Sequence, residues 1–218
     1  MFIEIDNIEL SFGGQQLLKG IYLKAETGKI TGIMGANGCG KSSLLNVIFG
    51  NLDPRHKLIR INSSPYLKPL FTYSGMVKYL PQHSFLPTHL KLKTIFRLYG
   101  VSWEEFTSDF DFFAEYQKSK ITEISGGERR IAETYLIIKS KAEVLLLDEP
   151  FTHLAPIYIE DFTKILKEES RQKAIIVTDH LFNHIIDLAD DLYFIKNGCT
   201  RLIKDQAELE RLNYLTSG

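Results

Sequence analysis

Two cysteines, Cys39 and Cys199, are all that the 218 residues contain. They are too few for a disulfide framework, and their spacing suits no metal site. A reducing compartment is the expectation. Charge of one sign is also missing: 26 Lys and Arg stand against 27 Asp and Glu, for a net charge of −1. A basic stripe of the kind that grips nucleic acid is therefore absent, and no nucleic-acid partner is expected. Long apolar runs are missing too. Residues 144–147 form one of the longest, far below the ~20 residues needed to span a bilayer, so the chain is expected to meet a membrane only through partners. Met1-Phe2-Ile3-Glu4-Ile5-Asp6 alternates apolar and acidic residues, which reads as a strand rather than a secretory leader. Repeats and low-complexity tracts are also lacking.

What remains is an ordinary globular composition, 44% hydrophobic, on a chain long enough to bury a substantial core. The first third reads as short strands (2–5, 21–24, 30–34 and 58–61) around one helix beginning near Lys41. From His83 to Glu123 the pattern turns helical, with helices expected over 92–99 and 103–116. Phe106, Phe110, Phe113 and Tyr116 recur there at helical spacing. Alternation then resumes: a helix after Gly127, strand 143–147, helix 157–169, strand 174–177, helix 181–188 and strand 192–195. These later strands are continuous apolar runs, as parallel strands covered on both faces require. The order predicts an α/β protein with a mostly parallel sheet and an inserted helical subdomain. The expected organisation is one domain, 1–218, with 1–82 and 126–218 as core and 83–125 as insertion.

Gly35-Ala36-Asn37-Gly38-Cys39-Gly40-Lys41-Ser42 has the P-loop spacing G-x-x-x-x-G-K-S, between an apolar strand and a helix. The glycines let backbone N–H groups turn toward an anion, and the helix N-terminus adds roughly half a positive charge. Gly35, Asn37, Gly38, Cys39, Gly40 and Ser43 are expected to cradle phosphates. Lys41 should reach the β- and γ-phosphates, and the Ser42 hydroxyl should ligate Mg²⁺. A glycine-rich turn that merely ends in Lys-Ser is the plain alternative, and the flanking strand and helix argue against it. The apolar strand ending Asp148-Glu149 supplies a second half. Asp148 is placed to hold Mg²⁺ at the strand's carboxyl end. Glu149 is placed to orient and deprotonate an attacking water.

Ile124-Ser125-Gly126-Gly127-Glu128 opens the helix ahead of Asp148. Two glycines bare the backbone and a serine sits at a helix N-cap. With this string the chain resembles the ATP-binding cassette (ABC) ATPases, whose signature reads Leu-Ser-Gly-Gly-Gln. Other marks follow in family order across nearly the whole chain. Phe12 occupies the place of the aromatic that stacks on adenine, with a core role as the plain alternative. Gln82, in Tyr79-Leu80-Pro81-Gln82, matches the glutamine that touches Mg²⁺ and water. His180, in Thr178-Asp179-His180, matches the histidine that contacts the γ-phosphate. His180 and His184 also share helical i, i+4 spacing, but no Glu follows His180 and no third zinc ligand is evident. Within the family, Ser-Gly-Gly-Glu-Arg-Arg, Asp-Glu-Pro-Phe, Pro156-Ile157 and Thr-Asp-His look most like the lipopolysaccharide-export and branched-chain amino-acid types.

The resemblance implies a P-loop NTPase core with an antiparallel β region near Phe12. It also implies ATP hydrolysis with Mg²⁺, in a homodimer or heterodimer where Ser125, Gly126 and Gly127 of one chain cover the nucleotide of the other. Membrane-spanning transport subunits would be the partners, with this chain peripheral to the cytoplasmic face. Two alternatives stay open: a soluble ABC ATPase outside transport, and a cassette that binds ATP as a switch with little turnover. The sequence departs from the family at Ala155, where an aspartate normally crosses the dimer. Residues 131–139 also lack the usual Ala-Arg-Ala-Leu string, and the insertion is somewhat short.

Overall fold

The computed structural model describes residues 1–180, 182–204 and 208. Its first two strands, β1 (Phe2–Phe12) and β2 (Gln15–Glu26), run far beyond the short segments that alternation predicts. A bulge explains the difference. The register shifts between Ile5 and Ile8, with Asn7 at φ 51, so the buried set changes phase from Ile3 and Ile5 to Ile8 and Leu10. The turn Gly13-Gly14, at φ 55 and 82, joins the two strands in the left-handed conformation that matches strand twist.

The chain continues through β3 (Ile30–Gly35), α1 (Lys41–Phe49), β4 (His56–Ile61), β5 (Ser64–Pro65) and β6 (Val77–Leu80). Then come α2 (Leu92–Tyr99), α3 (Trp103–Asp109), α4 (Gly126–Lys139), β7 (Val144–Asp148) and α5 (Pro156–Glu169). β8 (Ala174–Thr178), α6 (Phe182–Leu188), β9 (Asp191–Lys196) and β10 (Cys199–Ile203) complete the described elements. Leu181, expected to open the sixth helix, lies outside the described residues. Among them two sheets form, one ordered β2-β1-β4-β5 and antiparallel, the other ordered β10-β9-β3-β8-β7-β6. In the larger sheet only the β9–β10 pairing is antiparallel. β6 and β10 escape the sequence reading because Lys78 in one and Thr200 and Arg201 in the other interrupt the apolar run that marks β7 and β8.

The apolar strands feed two cores. Val144, Leu146, Ala174 and Ile176 join α1 and the antiparallel sheet on one face; Leu145, Leu147, Ile175 and Val177 join α4, α5 and the helical segment on the other. That is the two-sided burial the continuous runs imply. The helix expected over 103–116 is broken. α3 stops at Asp109, Phe110 leaves helical geometry at φ −133 and ψ 78, and a 3-10 stretch, Asp111–Lys118, follows. The Asp109 carboxylate accepts the Tyr135 hydroxyl at 2.8 Å, anchoring the break. Phe106, Phe110 and Phe113 still share one face, with the Phe106 centroid 5.7 Å from Phe110 and 4.6 Å from Phe113. The spacing therefore reported a common apolar face and not an unbroken helix. Phe96 and Trp103 are buried there, while Phe85 is only half-buried.

Candidate active site

The P-loop runs from the end of β3 into α1. Gly40 caps the helix at φ 105, which a side chain would strain, and a Cβ there would lie 2.7 Å from the Leu18 side chain. A Cβ at Gly35 would meet Cys39 Sγ at 2.6 Å. The Cys39 side chain therefore points inward. Burial pushes its thiol up, against the pull of Lys41. Lys41 is buried, its Nζ donating to the carbonyls of Gly35 at 2.7 Å and Ala36 at 3.3 Å. This ammonium is held over the loop that the spacing assigned to phosphate.

Asp148, at the end of β7, gathers three hydroxyl donors: Ser42 at 3.1 Å, Thr178 at 2.8 Å and Tyr79 at 3.1 Å. Burial, then the Asp148 charge, pushes the Tyr79 hydroxyl well above its ordinary range, so it stays a donor. The Ser42 hydroxyl and the Asp148 carboxylate thus face each other as hard oxygen groups, the donor chemistry a Mg²⁺ ion takes. Glu149 adopts φ 50, held by its N–H donating to the Thr178 carbonyl at 2.8 Å. Its carboxylate accepts Gln82 Nε2 at 2.9 Å and Thr152 Oγ1 at 3.3 Å, and His180 Nδ1 lies 3.4 Å away. Gln82 is therefore turned toward Glu149 and not toward the Ser42–Asp148 pair.

Asn37, Gly38, Gly40, Lys41, Ser42, Ser43, Gln82, Glu149 and His180 all line one cavity of about 600 Å³, with Leu17, Thr152 and His153. Gly35 and Cys39 shape it from behind. Phe12 does not line it. It stands half exposed at the hairpin tip, and Leu17 is the apolar side chain that reaches the cavity.

Ser125, Gly126 and Gly127 are absent from that lining. Ser125 caps α4: its hydroxyl accepts the Glu128 N–H at 3.2 Å, and its own N–H donates to Glu128 Oε2 at 2.7 Å. Burial raises the Glu128 carboxyl, but the Ser125 N–H and hydroxyl outweigh it and hold the group below its usual range. A Cβ at Gly126 would meet nothing within 4 Å, and one at Gly127 only the His153 carbonyl at 3.5 Å. No packing inside the described chain requires glycine at these two positions. Ser125 and Gly127 instead line a separate cavity of about 320 Å³, shared with His153 and Ala155. His153, at φ 65, touches both cavities.

Sequence reasoning missed Arg130. Buried on α4, its guanidinium donates to the carbonyls of Pro81 at 2.8 Å, Asp148 at 2.9 Å and Glu149 at 2.7 Å. The signature helix is thereby tied to the residue before Gln82 and to both acids at the carboxyl end of β7. Glu133, one turn on, accepts the Phe85 N–H at 3.2 Å and lies 3.9 Å from Arg130. The sequence offers little signal for either, since α4 carries other charged residues, Glu128, Arg129 and Lys139, beside them.

A family model described as ABC transporter matches residues 18–152. The chain is 28% identical over 217 residues to the tungstate uptake system ATP-binding protein of Peptoclostridium acidaminophilum, covering 91% of this chain and 96% of that protein. A solved structure described as the ATP-binding subunit of an ABC transporter matches with a TM-score of 0.85 at 20% identity, over 100% of this chain and 96% of its own. A dimeric bacterial ABC transporter cassette matches at 0.78 and 19% identity, over 93% and 99%. At these identities the structural likeness speaks for the fold.

Proposed function

The chain belongs to the ABC transporter family, and we propose that it is the ATP-binding, ATP-hydrolysing subunit of a transporter whose membrane-spanning subunits are separate chains. One observation carries this reading. The P-loop lysine, Glu149, Gln82 and His180 converge on one cavity, with Asp148 behind it on the Ser42 hydroxyl, while Gly126 and Gly127 lie bare outside it with no intrachain neighbour that needs them so. Bare backbone at a capped helix N-terminus is an anion site, and a second chain can supply the anion. In this reading ATP lies on the P-loop of one subunit and is covered by Ser125, Gly126 and Gly127 of its partner. The dimer is completed only when nucleotide is present.

Lys41 binds the β- and γ-phosphates and stabilises the charge that develops during transfer. Ser42 and Asp148 would hold Mg²⁺, which would neutralise phosphate charge. Glu149 takes the proton of the attacking water, and Gln82 and His180, both on its carboxylate, keep that group aimed. The segment 83–125 acts as the helical subdomain. The groove of about 610 Å³ beside it, lined by Phe71, Tyr79, Gln82, Phe85 and Tyr99, receives a helix of the membrane subunit at the cytoplasmic face.

Glu149→Gln tests the reading. The amide keeps the shape and loses the basicity, so turnover should fall about 10²- to 10⁴-fold. ATP binding should persist, and an ATP-dependent dimer should accumulate in gel filtration. Wild-type turnover in this variant removes Glu149 from the role of base.

A further inference from the structure

Away from these groups, the helical segment carries a concavity of about 720 Å³ lined by Lys91, Lys93, Arg97, Lys118, Val101 and Trp103. Its charge contrasts with a chain of net −1. Four cationic side chains face one carboxylate, Glu104. That carboxylate is taken up by Lys93 at 3.0 Å, a hydrogen bond that holds it below its usual range. Among the described residues no carboxylate lies within ion-pair distance of Lys91, Arg97 or Lys118.

The backbone adds to the crowding. Lys91 and Lys120 face each other in an isolated antiparallel bridge, and Leu92 N–H donates to the Ser119 carbonyl at 2.9 Å. Like charges set opposite one another repel, and Lys91 stands in the cavity lining with a further cation, Lys120, across the bridge just outside it. The floor is apolar and fixed: Val101 and Trp103 are buried, and Trp103 packs edge-on against Phe96 at 5.1 Å. Thr94, Ser102 and Gln117 add neutral hydrogen-bonding groups. A single carboxylate would answer one of these cations, whereas a phosphate dianion answers several at once. The volume lies in the range of small-molecule sites.

We propose that this cavity binds a phosphate group, carried by a soluble phosphorylated molecule or by a lipid headgroup, independently of the ATP site. The chain's single tryptophan is Trp103, so its fluorescence reports the cavity directly. The full chain is titrated at constant ionic strength with pyrophosphate in one arm. In the other it meets phosphatidylcholine vesicles with and without phosphatidic acid. Both arms are repeated in Lys41→Ala, which disables the P-loop, and in Arg97→Glu/Lys118→Glu. If charge reversal disturbs folding, Arg97→Gln/Lys118→Gln serves in its place, since both side chains are exposed.

The expected result is a saturable Trp103 response that survives Lys41→Ala and weakens by about tenfold or more when both cations are lost. A pyrophosphate response identifies a soluble ligand, and a response confined to phosphatidic acid vesicles identifies a headgroup. The proposal is overturned by no saturable response in either arm, by a response the double variant retains, or by one that Lys41→Ala abolishes. The last outcome would assign the phosphate to the P-loop.

Discussion

Replacing Arg130 with Met keeps most of the apolar stem and removes the guanidinium. Three carbonyls, that of Asp148 buried and those of Pro81 and Glu149 partly so, then lose charged donors at 2.7 to 2.9 Å. Each such loss is worth roughly 1 to 3 kcal/mol. The lost desolvation of the charge offsets part of that, since burial already works against the guanidinium and pushes its pKa down. Glu133 keeps the Phe85 N–H and the Ser84 hydroxyl, so it is not left wholly unpaired. The net expectation is a destabilisation of about 3 to 5 kcal/mol, read as a lower urea midpoint with an unchanged slope. Arg130→Lys should fall between, because an ammonium cannot match the fork across three carbonyls. Turnover should drop in both variants beyond what unfolding accounts for, since Pro81 positions Gln82 beside it and Glu149 is the proposed base. A loss below about 1 kcal/mol in Arg130→Met, with normal turnover, would refute the idea that one guanidinium joins these segments.

Two further tests concern the start of helices. Gly126→Ala should raise the stability of the isolated chain by about 0.5 to 1 kcal/mol, since open space surrounds that position. It should also weaken ATP-dependent dimerisation in gel filtration; unchanged dimerisation would mean the bare backbone serves no partner. Ala155 is the N-cap of α5 with no side-chain cap, at φ −71 and ψ 151. Ala155→Asp should therefore add about 1 kcal/mol to unfolding stability, and an unmoved urea midpoint would show that the cap geometry is not available.

Motifs whose chemistry is local were legible in the sequence. The P-loop, the paired acids and the serine-capped helix each need only a few adjacent residues; most of the P-loop and Glu149 meet in one cavity, and the serine-capped helix opens on another. Roles that depend on distant backbone were not. Arg130 acts on the carbonyl of Pro81, nearly fifty residues away, and no spacing rule points there. That Phe12 stands half exposed outside the lining of the P-loop cavity has a related reason. Which side chain a hairpin directs at a neighbouring loop depends on register, and a bulge at Asn7 reset the phase of β1. The break at Phe110 was hidden because rings at helical spacing stay in contact across a 3-10 segment.

The reciprocal cap on α4 bears on what association costs. The Ser125 rotamer and its backbone are already fixed by Glu128 before any partner arrives. The rotational freedom that two chains would otherwise surrender at their contact is given up during folding instead. Affinity between subunits can then follow the occupancy of the opposing P-loop, with little of it lost to ordering the surface that reads it.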